Sequence, residues 1–407
     1  MSNTGMFDIL VVGGGMIGSA VALGLSRQGW QVGLVETGTR EQLVQDLAPA
    51  TDVNGFEPRV SAISLASQQL LESLGAWPDI AATRHCGYRN MTVWDGEGTG
   101  RIHFDAAELQ VNTLGTIIEN RSITRALFRA LETSDAHLFD GVKVTGLQQD
   151  KGCGRVQLDD GRTLEAALVV AADGAQSRLR QWAGLPTREW DYDQQAIVCT
   201  VRTAHSHGYT AWQSFSQTGP LAFLPLLTET GDEHFCSVVW SQDTTEARRL
   251  MTLDDAAFAG ELGRAIEQVL GPVQAVSPRY AFPLRQRHAK TYTAAGLVLV
   301  GDAAHTIHPL AGQGANLGYG DVRVLLDELA RARRCGLSPA DELVLARYQR
   351  RRKGENLTMM AAMESFKQLF ARDELPLRWL RNTGMRLLDG LGPVKNRIAA
   401  EAMGLRN

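Results

Sequence analysis

The sequence predicts an α/β protein: a Rossmann-like dinucleotide-binding domain carrying an inserted antiparallel-sheet domain, followed by a helical, basic C-terminal region. Three observations carry this. A glycine turn, Gly13-Gly14-Gly15-Met16-Ile17-Gly18, follows a short apolar run and precedes a stretch with apolar residues at helical spacing. Between residues 188 and 285 the pattern changes to short alternating strands, as in an antiparallel sheet with one covered face. From 347 to 407 there are 13 Lys+Arg and 6 Asp+Glu, a balance of +7, against 28 and 39, or −11, in the remainder.

The elements follow in order. A strand over 8–12, the glycine turn, a helix over 17–28 and a strand over 31–36 open the chain. Residues 40–58 are polar and contain Pro49, Asn54, Gly55 and Pro58, so they read as an exposed loop. Helices are expected over 66–74, ended by Gly75, and over 122–131. Asp159-Asp160-Gly161 is a turn signal between strands 155–158 and 163–172. The insertion supplies strands 196–202, 211–215, 221–226 and 234–241, then a helix over 254–270. A buried strand at 297–300 and a long helix over 316–334 return to the nucleotide fold, and the chain is helical from 340. The expected division is 1–85, 115–187 and 286–345 for a discontinuous nucleotide-binding domain, 86–114 and 188–285 for a substrate domain, and 346–407 for the helical region.

Composition narrows the class. With 407 residues, 44% hydrophobic and 21% charged, the chain has the make-up of a soluble globular protein. A net charge of −4 gives no reason to expect nucleic acid. Cys86, Cys153, Cys199, Cys236 and Cys335 form no C-x-x-C pair and read as free thiols in a reducing compartment, with no metal site implied. Residues 1–6 carry no basic residue, the run that follows is broken by glycines, and no stretch approaches about 20 apolar residues. The expectation is a cytoplasmic protein. Its basic C-terminal segment, with Trp379, Leu380, Leu387 and Leu388, suits either plain solvation or peripheral contact with an anionic membrane.

In the first motif, Gly13 permits the tight turn, Gly15 lets backbone approach a pyrophosphate, and Gly18 lets helix pack close to strand. Glu36, 18 residues after Gly18, ends the second strand where a carboxylate can take a ribose diol. FAD and NAD are both open at this point. A second motif is Asp173-Gly174 with Ser177 and Arg180; a third is Gly301-Asp302-Ala303-Ala304-His305, at the end of a predicted strand. Asp302 there suits the ribitol hydroxyls of a flavin, or else a helix N-cap. Pro309, Gly312, Gln313, Gly314, Ala315 and Asn316 then lead into the long helix, whose positive end suits the negative charge of a reduced flavin. The three motifs together indicate FAD.

These residues resemble the class A flavoprotein aromatic hydroxylases, over nearly the whole chain. Arg59-Val60-Ser61-Ala62-Ile63, Glu119-Asn120, Ala222-Phe223-Leu224-Pro225-Leu226, Val239-Trp240 and the run from Thr306 to Gly314 are similar to the ubiquinone-biosynthesis hydroxylases. Ala402-Met403-Gly404-Leu405 and Trp94-Asp95 point to the branch acting on prenylated phenols at ring position 5; Ala315 stands where valine is expected. The resemblance implies FAD as cofactor and NAD(P)H as co-substrate without a second Rossmann site. It also implies hydroxylation by O2 through a flavin C4a-hydroperoxide. It puts Arg59 near the pyrophosphate, Asn120 near the cofactor, and Asp173 where flavin and pyridine-nucleotide functions meet. A prenylated phenol substrate, other ubiquinone-biosynthesis proteins as partners and the inner membrane as a peripheral location follow from it as expectations.

No catalytic residue is named by the sequence. His305 and His308 near the third motif, and His205 and His207 in the insertion, read first as packing or hydrogen-bonding residues. Trp212, Phe215, Phe223 and Trp240 are candidate substrate walls, although aromatics alternating on strands are more often core. Rival readings are a hydroxylase of another ring position or of a small soluble aromatic, a flavin reductase, and a non-catalytic flavin-bound assembly protein.

Overall fold

Ile9, Leu10 and Val11 are wholly buried in the strand Phe7–Val12, because it is an inner strand of a sheet covered on both faces. The structure is a computed structural model describing residues 6–150, 152–306, 313–371 and 374–404. In this first sheet Phe7–Val12 pairs in parallel with Val32–Val35 on one side and Thr163–Ala171 on the other. His137–Phe139 and Leu297–Leu299 extend it outward, also in parallel. The hairpin partner Cys153–Leu158 pairs antiparallel with Thr163–Ala171 across the turn at Gly161, whose φ is +87°.

The helix Met16–Arg27 is buried nearly all round, with Ala20, Val21, Ala22, Leu23 and Leu25 inaccessible. It lies between the sheet and two further helices, Asn120–Glu132 and Gln313–Arg334. Close approach is built in: a Cβ on Gly24 would stand 2.8 Å from one methyl of Leu326 on the long helix, and nearer still to the other.

A nine-stranded, mainly antiparallel sheet forms the second body. Its longest strand, Thr187–Thr203, pairs with Tyr280–Ala289 along one edge and Phe235–Asp243 along the other. Two helices follow in this body, Thr244–Thr252 and Asp255–Ala265; the first was not expected, and the second is the one expected over 254–270, ending earlier. Asp254 starts the second by accepting from Ala257 N at 2.7 Å, and the chain leaves it through Glu267 and Gln268, both at positive φ.

Residues 40–58 also depart from expectation. A short helix, Arg40–Val44, opens the segment, and Ala50, Val53 and Phe56 are buried. Arg84 pins it from beneath, donating to the carbonyls of Ala48 (2.6 Å) and Gly55 (2.8 Å) while paired with Glu119. Polar composition concealed an anchored segment.

The C-terminal helices Glu342–Ala371, Leu375–Gly390 and Gly392–Ala402 return across the second sheet. Their latch is a buried ion pair between Arg381 and Asp95, at 2.6 Å, each side chain 1% exposed. Asn382 adds to it, accepting from Thr99 N at 2.7 Å and donating to Asp95. Arg381 also lies over Phe370, which stacks on Phe215 with ring centroids 4.4 Å apart. Removing one partner leaves the other charge buried. Arg381→Ala is therefore expected to lower stability by about 3 kcal/mol, read by thermal unfolding, and to hasten proteolysis within 375–404.

Candidate active site

Three turns meet at one edge of the parallel sheet, and strand pairing requires it. Val12 stands opposite Ala171, and Ala171 opposite Leu299. The chain segments leaving those strands are Gly13–Gly15, Asp173-Gly174 and Gly301-Asp302, so all three motifs emerge side by side at the carboxyl ends.

The first turn is tight against protein except at one glycine. Gly13 has φ +105°, and a Cβ there would strike the carbonyl of Ala172; a Cβ on Gly18 would strike the carbonyl of Gly13. One on Gly14 would meet Phe128 at 2.8 Å and Glu36 at 2.9 Å. Gly15 faces open space, and no side chain caps the helix that starts beside it. Uncapped N–H groups next to an unobstructed glycine fit a phosphate. Glu36 accepts from Gly14 N at 2.5 Å, from Gly38 N at 2.8 Å and from the Thr37 hydroxyl at 2.9 Å. A carboxylate has about four lone-pair sites, so one acceptor position is left.

The second motif grips the third. Asp173 Oδ2 accepts from Arg178 N (2.8 Å) and Leu179 N (3.2 Å), fixing the start of the short helix Arg178–Trp182. Its Oδ1 is buried and has no hydrogen-bond partner among the described residues. Arg180, buried beyond it, donates to the carbonyls of Ala303 at 2.7 Å and Ala175 at 3.0 Å. Ile17 ties the first motif to the third: added Cβ atoms on Gly301 and Gly318 would lie 3.3 and 2.7 Å from its side chain.

Asp302 sits on the Gly301–Ala303 turn with its surface open to water, yet the walls of the recess desolvate it. That burial raises its pKa, against the opposing pull of His305 and Arg59. Arg59 is exposed on the opposite rim. Asn120 begins its helix by donating from its backbone to Arg59 O, and its side-chain oxygen is taken by the Ser61 hydroxyl at 2.6 Å. Gly314 faces open space, and Ala315 packs on the nucleotide-domain core. The Asn316 amide is engaged by protein, accepting from Ser64 N and the Ser67 hydroxyl and donating to Ala62 O at 2.8 Å. Pro309 and Gly312, together with His308 and the side chains of Gln313 and Leu380, lie outside the described residues.

Behind the third turn is a buried polar cluster that sequence reasoning missed. Asp321 Oδ2 accepts from Gly301 N at 2.9 Å and meets His305 Nε2 at 2.6 Å, so one oxygen clasps both ends of the turn carrying Asp302. Its Oδ1 accepts from Arg352 Nε at 2.7 Å and Asn356 Nδ2 at 3.3 Å. Burial opposes charge on Asp321, but His305 and Arg352 more than offset it and hold the carboxyl at about 2. Asn356 passes the network to the Tyr292 hydroxyl, which bonds His288 at 2.9 Å. His305 is thus a structural residue. His207, bonded to Leu226 O at 2.9 Å, is another.

A cavity of about 250 Å³ lies between the two bodies, walled by apolar side chains that include Val60, Met91, Phe104, Leu224, Val239 and Met403. Asn316 is also on its wall, which places the cavity at the start of the long helix. Of the four aromatic candidates only Trp212 is on its wall, and even there the indole sits on the far face of the sheet, beside its cross-strand partner Phe223 and against Trp94. Phe223 and Trp240 face the other side of the sheet, in a core with Phe258, and Phe215 stacks on Phe370. Strand alternation explains this: Pro220, Ala222 and Leu224 turn to the cavity, so Phe223 turns away.

Residues 6–361 match the FAD binding domain family. The chain belongs to that family. It is 39% identical over 402 residues to the 3-demethoxyubiquinol 3-hydroxylase of Escherichia coli (strain K12), covering 98% of each chain. It is 35% identical to the ubiquinone hydroxylase UbiL of Rhodospirillum rubrum, over 98% of this chain and 89% of that one. Among solved structures, p-nitrophenol 4-monooxygenase PnpA from Pseudomonas putida DLL-E4 superposes with a TM-score of 0.78 at 21% identity, covering 98% of both chains, which shows the shared fold. The protein is an FAD-dependent monooxygenase of the ubiquinone-hydroxylase group.

Two expectations follow from the buried cluster. If Asp321 acts through the turn it clasps, Asp321→Asn weakens FAD binding to the apoprotein by about tenfold or more, yet has little further effect in an Asp302→Ala background. Fluorescence titration of the four proteins of this cycle reads it. Burial, with His305 next and then Lys353 and Arg188, pushes His288 down to about 4, so it is neutral in the fold. The unfolded chain takes up that proton near pH 6.5. Stability from this group is therefore lost as pH falls from about 6.5 to 4, with a slope of about one proton, and His288→Gln should remove that slope from the thermal midpoint.

Proposed function

We propose that this enzyme hydroxylates the aromatic ring of a polyprenylated phenol in ubiquinone biosynthesis. One O2 and one NAD(P)H, with a proton, convert ring C–H to C–OH and release water and NAD(P)+. The observation that supports the substrate class is the apolar cavity abutting, through Asn316, the start of the long helix that follows the third motif. Bound FAD supplies the activation of oxygen. In this reading Gly15 and the helix beside it take the pyrophosphate, Glu36 the ribose and Asp302 the ribityl hydroxyls. Arg59 would face the phosphates, Asp173 would stand where flavin and pyridine-nucleotide functions meet, and Gly314 would lie near the ring.

What the chain contributes at the reacting ring is placement and exclusion of water. Tyr88 is the one titratable side chain among the cavity-lining residues, and burial pushes it up to about 12. It acts as a neutral donor, so no side chain on that wall serves as a base near neutral pH. Gln213, Ser241 and Ser64 offer neutral polar atoms there. Gln213, buried on the cavity face of its strand, carries a side-chain amide that can bond a ring oxygen of the substrate.

Two ring positions compete. The closing sequence motif favours position 5, whereas the name of the Escherichia coli relative favours position 3. Mass spectrometry and NMR of the product from a short-tailed prenylated phenol, with labelled O2, decide between them. Loss of substrate-stimulated NAD(P)H and O2 consumption with every prenylated phenol tried would reject the substrate class. Gln213→Leu is expected to lower kcat/KM about tenfold with FAD affinity unchanged, as removal of one hydrogen bond to substrate requires.

A further inference from the structure

The C-terminal helix Gly392–Ala402 separates the cavity from solvent, and its two faces are both apolar. Ala399 and Met403 line the cavity on the inside. On the outside, Leu391, Val394 and Ile398 recur at helical spacing and are exposed, and the preceding helix adds Leu387 and Trp379, 61% and 70% exposed. Ile398 belongs to both faces: it lines the cavity and is 46% exposed, so it marks a mouth opening onto the outer stripe. Residues 375–404 hold five basic side chains and two acidic ones, a balance of +3 in a chain of net −4. Arg386 and Arg397 are exposed along the stripe, while Arg381 and Lys395 are turned inward to Asp95 and Glu108.

Volume adds a constraint. A cavity of about 250 Å³ is at the small end for a ligand pocket, room for a substituted ring and little more. A polyprenyl tail has to leave it, and Ile398 is where the lining reaches the surface. We propose that the outer face of residues 379–398 docks on an anionic lipid surface, so that the ring enters past Ile398 while the tail stays in the bilayer. This rests on the substrate reading above and names the surface that would serve it. The inward ion pairs hold the two helices against the sheet; the outward side chains contribute apolar area and positive charge to the lipid.

The test uses FAD-loaded enzyme with vesicles of phosphatidylcholine containing 30 mol% phosphatidylglycerol, a composition giving about the surface charge on which such basic faces act. Wild type is expected to float with these vesicles and less with phosphatidylcholine alone. The double variant Leu387→Glu, Leu391→Glu is expected to lose about tenfold or more of that binding. It should retain FAD and its turnover of a short-tailed phenol, and turn over a long-tailed substrate embedded in vesicles more slowly. Arg386→Glu, Arg397→Glu should weaken binding to the anionic vesicles alone. Wild type that stays with the soluble fraction, or a double variant that floats unchanged, overturns the proposal. So does a double variant that instead loses a stable protein complex, which would make the stripe a protein interface. Unimpaired flotation with no turnover of any prenylated phenol would reject the substrate reading and leave the docking surface standing.

Discussion

A single buried carboxylate sets the geometry of the sheet edge where the three motifs meet. Asp321 lies on the long helix whose start carries Gly314, yet it holds Gly301 and His305, the two ends of the turn that presents Asp302. Two parts of the site, one at a helix start and one at a strand end, are thereby referred to the same rigid element. Arg352 and Asn356 make a full-time anion affordable in the interior, as a buried charge needs both a counter-charge and hydrogen bonds. Arg180 closes the arrangement from the other side by holding Ala303.

The glycines divide by what lies over them. At Gly13, Gly14 and Gly18 the missing Cβ is occupied by the protein itself, which compacts strand, turn and helix. At Gly15 and Gly314 no described residue is close. The same residue type thus does two jobs, and only the second leaves room for a ligand.

Much of the nucleotide-binding architecture was legible because it is written locally. A strand run, a glycine turn and an acidic strand end sit within a few dozen residues, and their spacing has one geometric meaning. The helix Thr244–Thr252 was not legible, because Asp243 before it makes no side-chain cap, whereas Asp254 caps the expected helix that follows. The anchoring of residues 40–58 could not be read locally at all, because Arg84 and Glu119 reach it from elsewhere. The same holds for Asp321. Its one local sign was an acid in an otherwise apolar helical stretch beside Val322, Val324 and Leu325, and its partners lie on the turn at 301–305 and on another helix. Aromatic residues were the poorest guide to the cavity: burial made Phe223, Trp240 and Phe215 conspicuous for reasons of core packing.

The strand Leu297–Leu299 has a consequence for how the molecule is made. It slots beside Thr163–Ala171, while most strands of the second sheet intervene between the two in sequence. Contacts between segments so distant along the chain are slow to form, since loop closure precedes any gain from pairing. During synthesis the first glycine turn leaves the ribosome long before its neighbours on the sheet edge exist. The nascent nucleotide-binding half therefore waits, incomplete, with the hydrophobic flank of Thr163–Ala171 uncovered. That interval is where a chaperone would be needed and where a destabilised variant would be lost to aggregation.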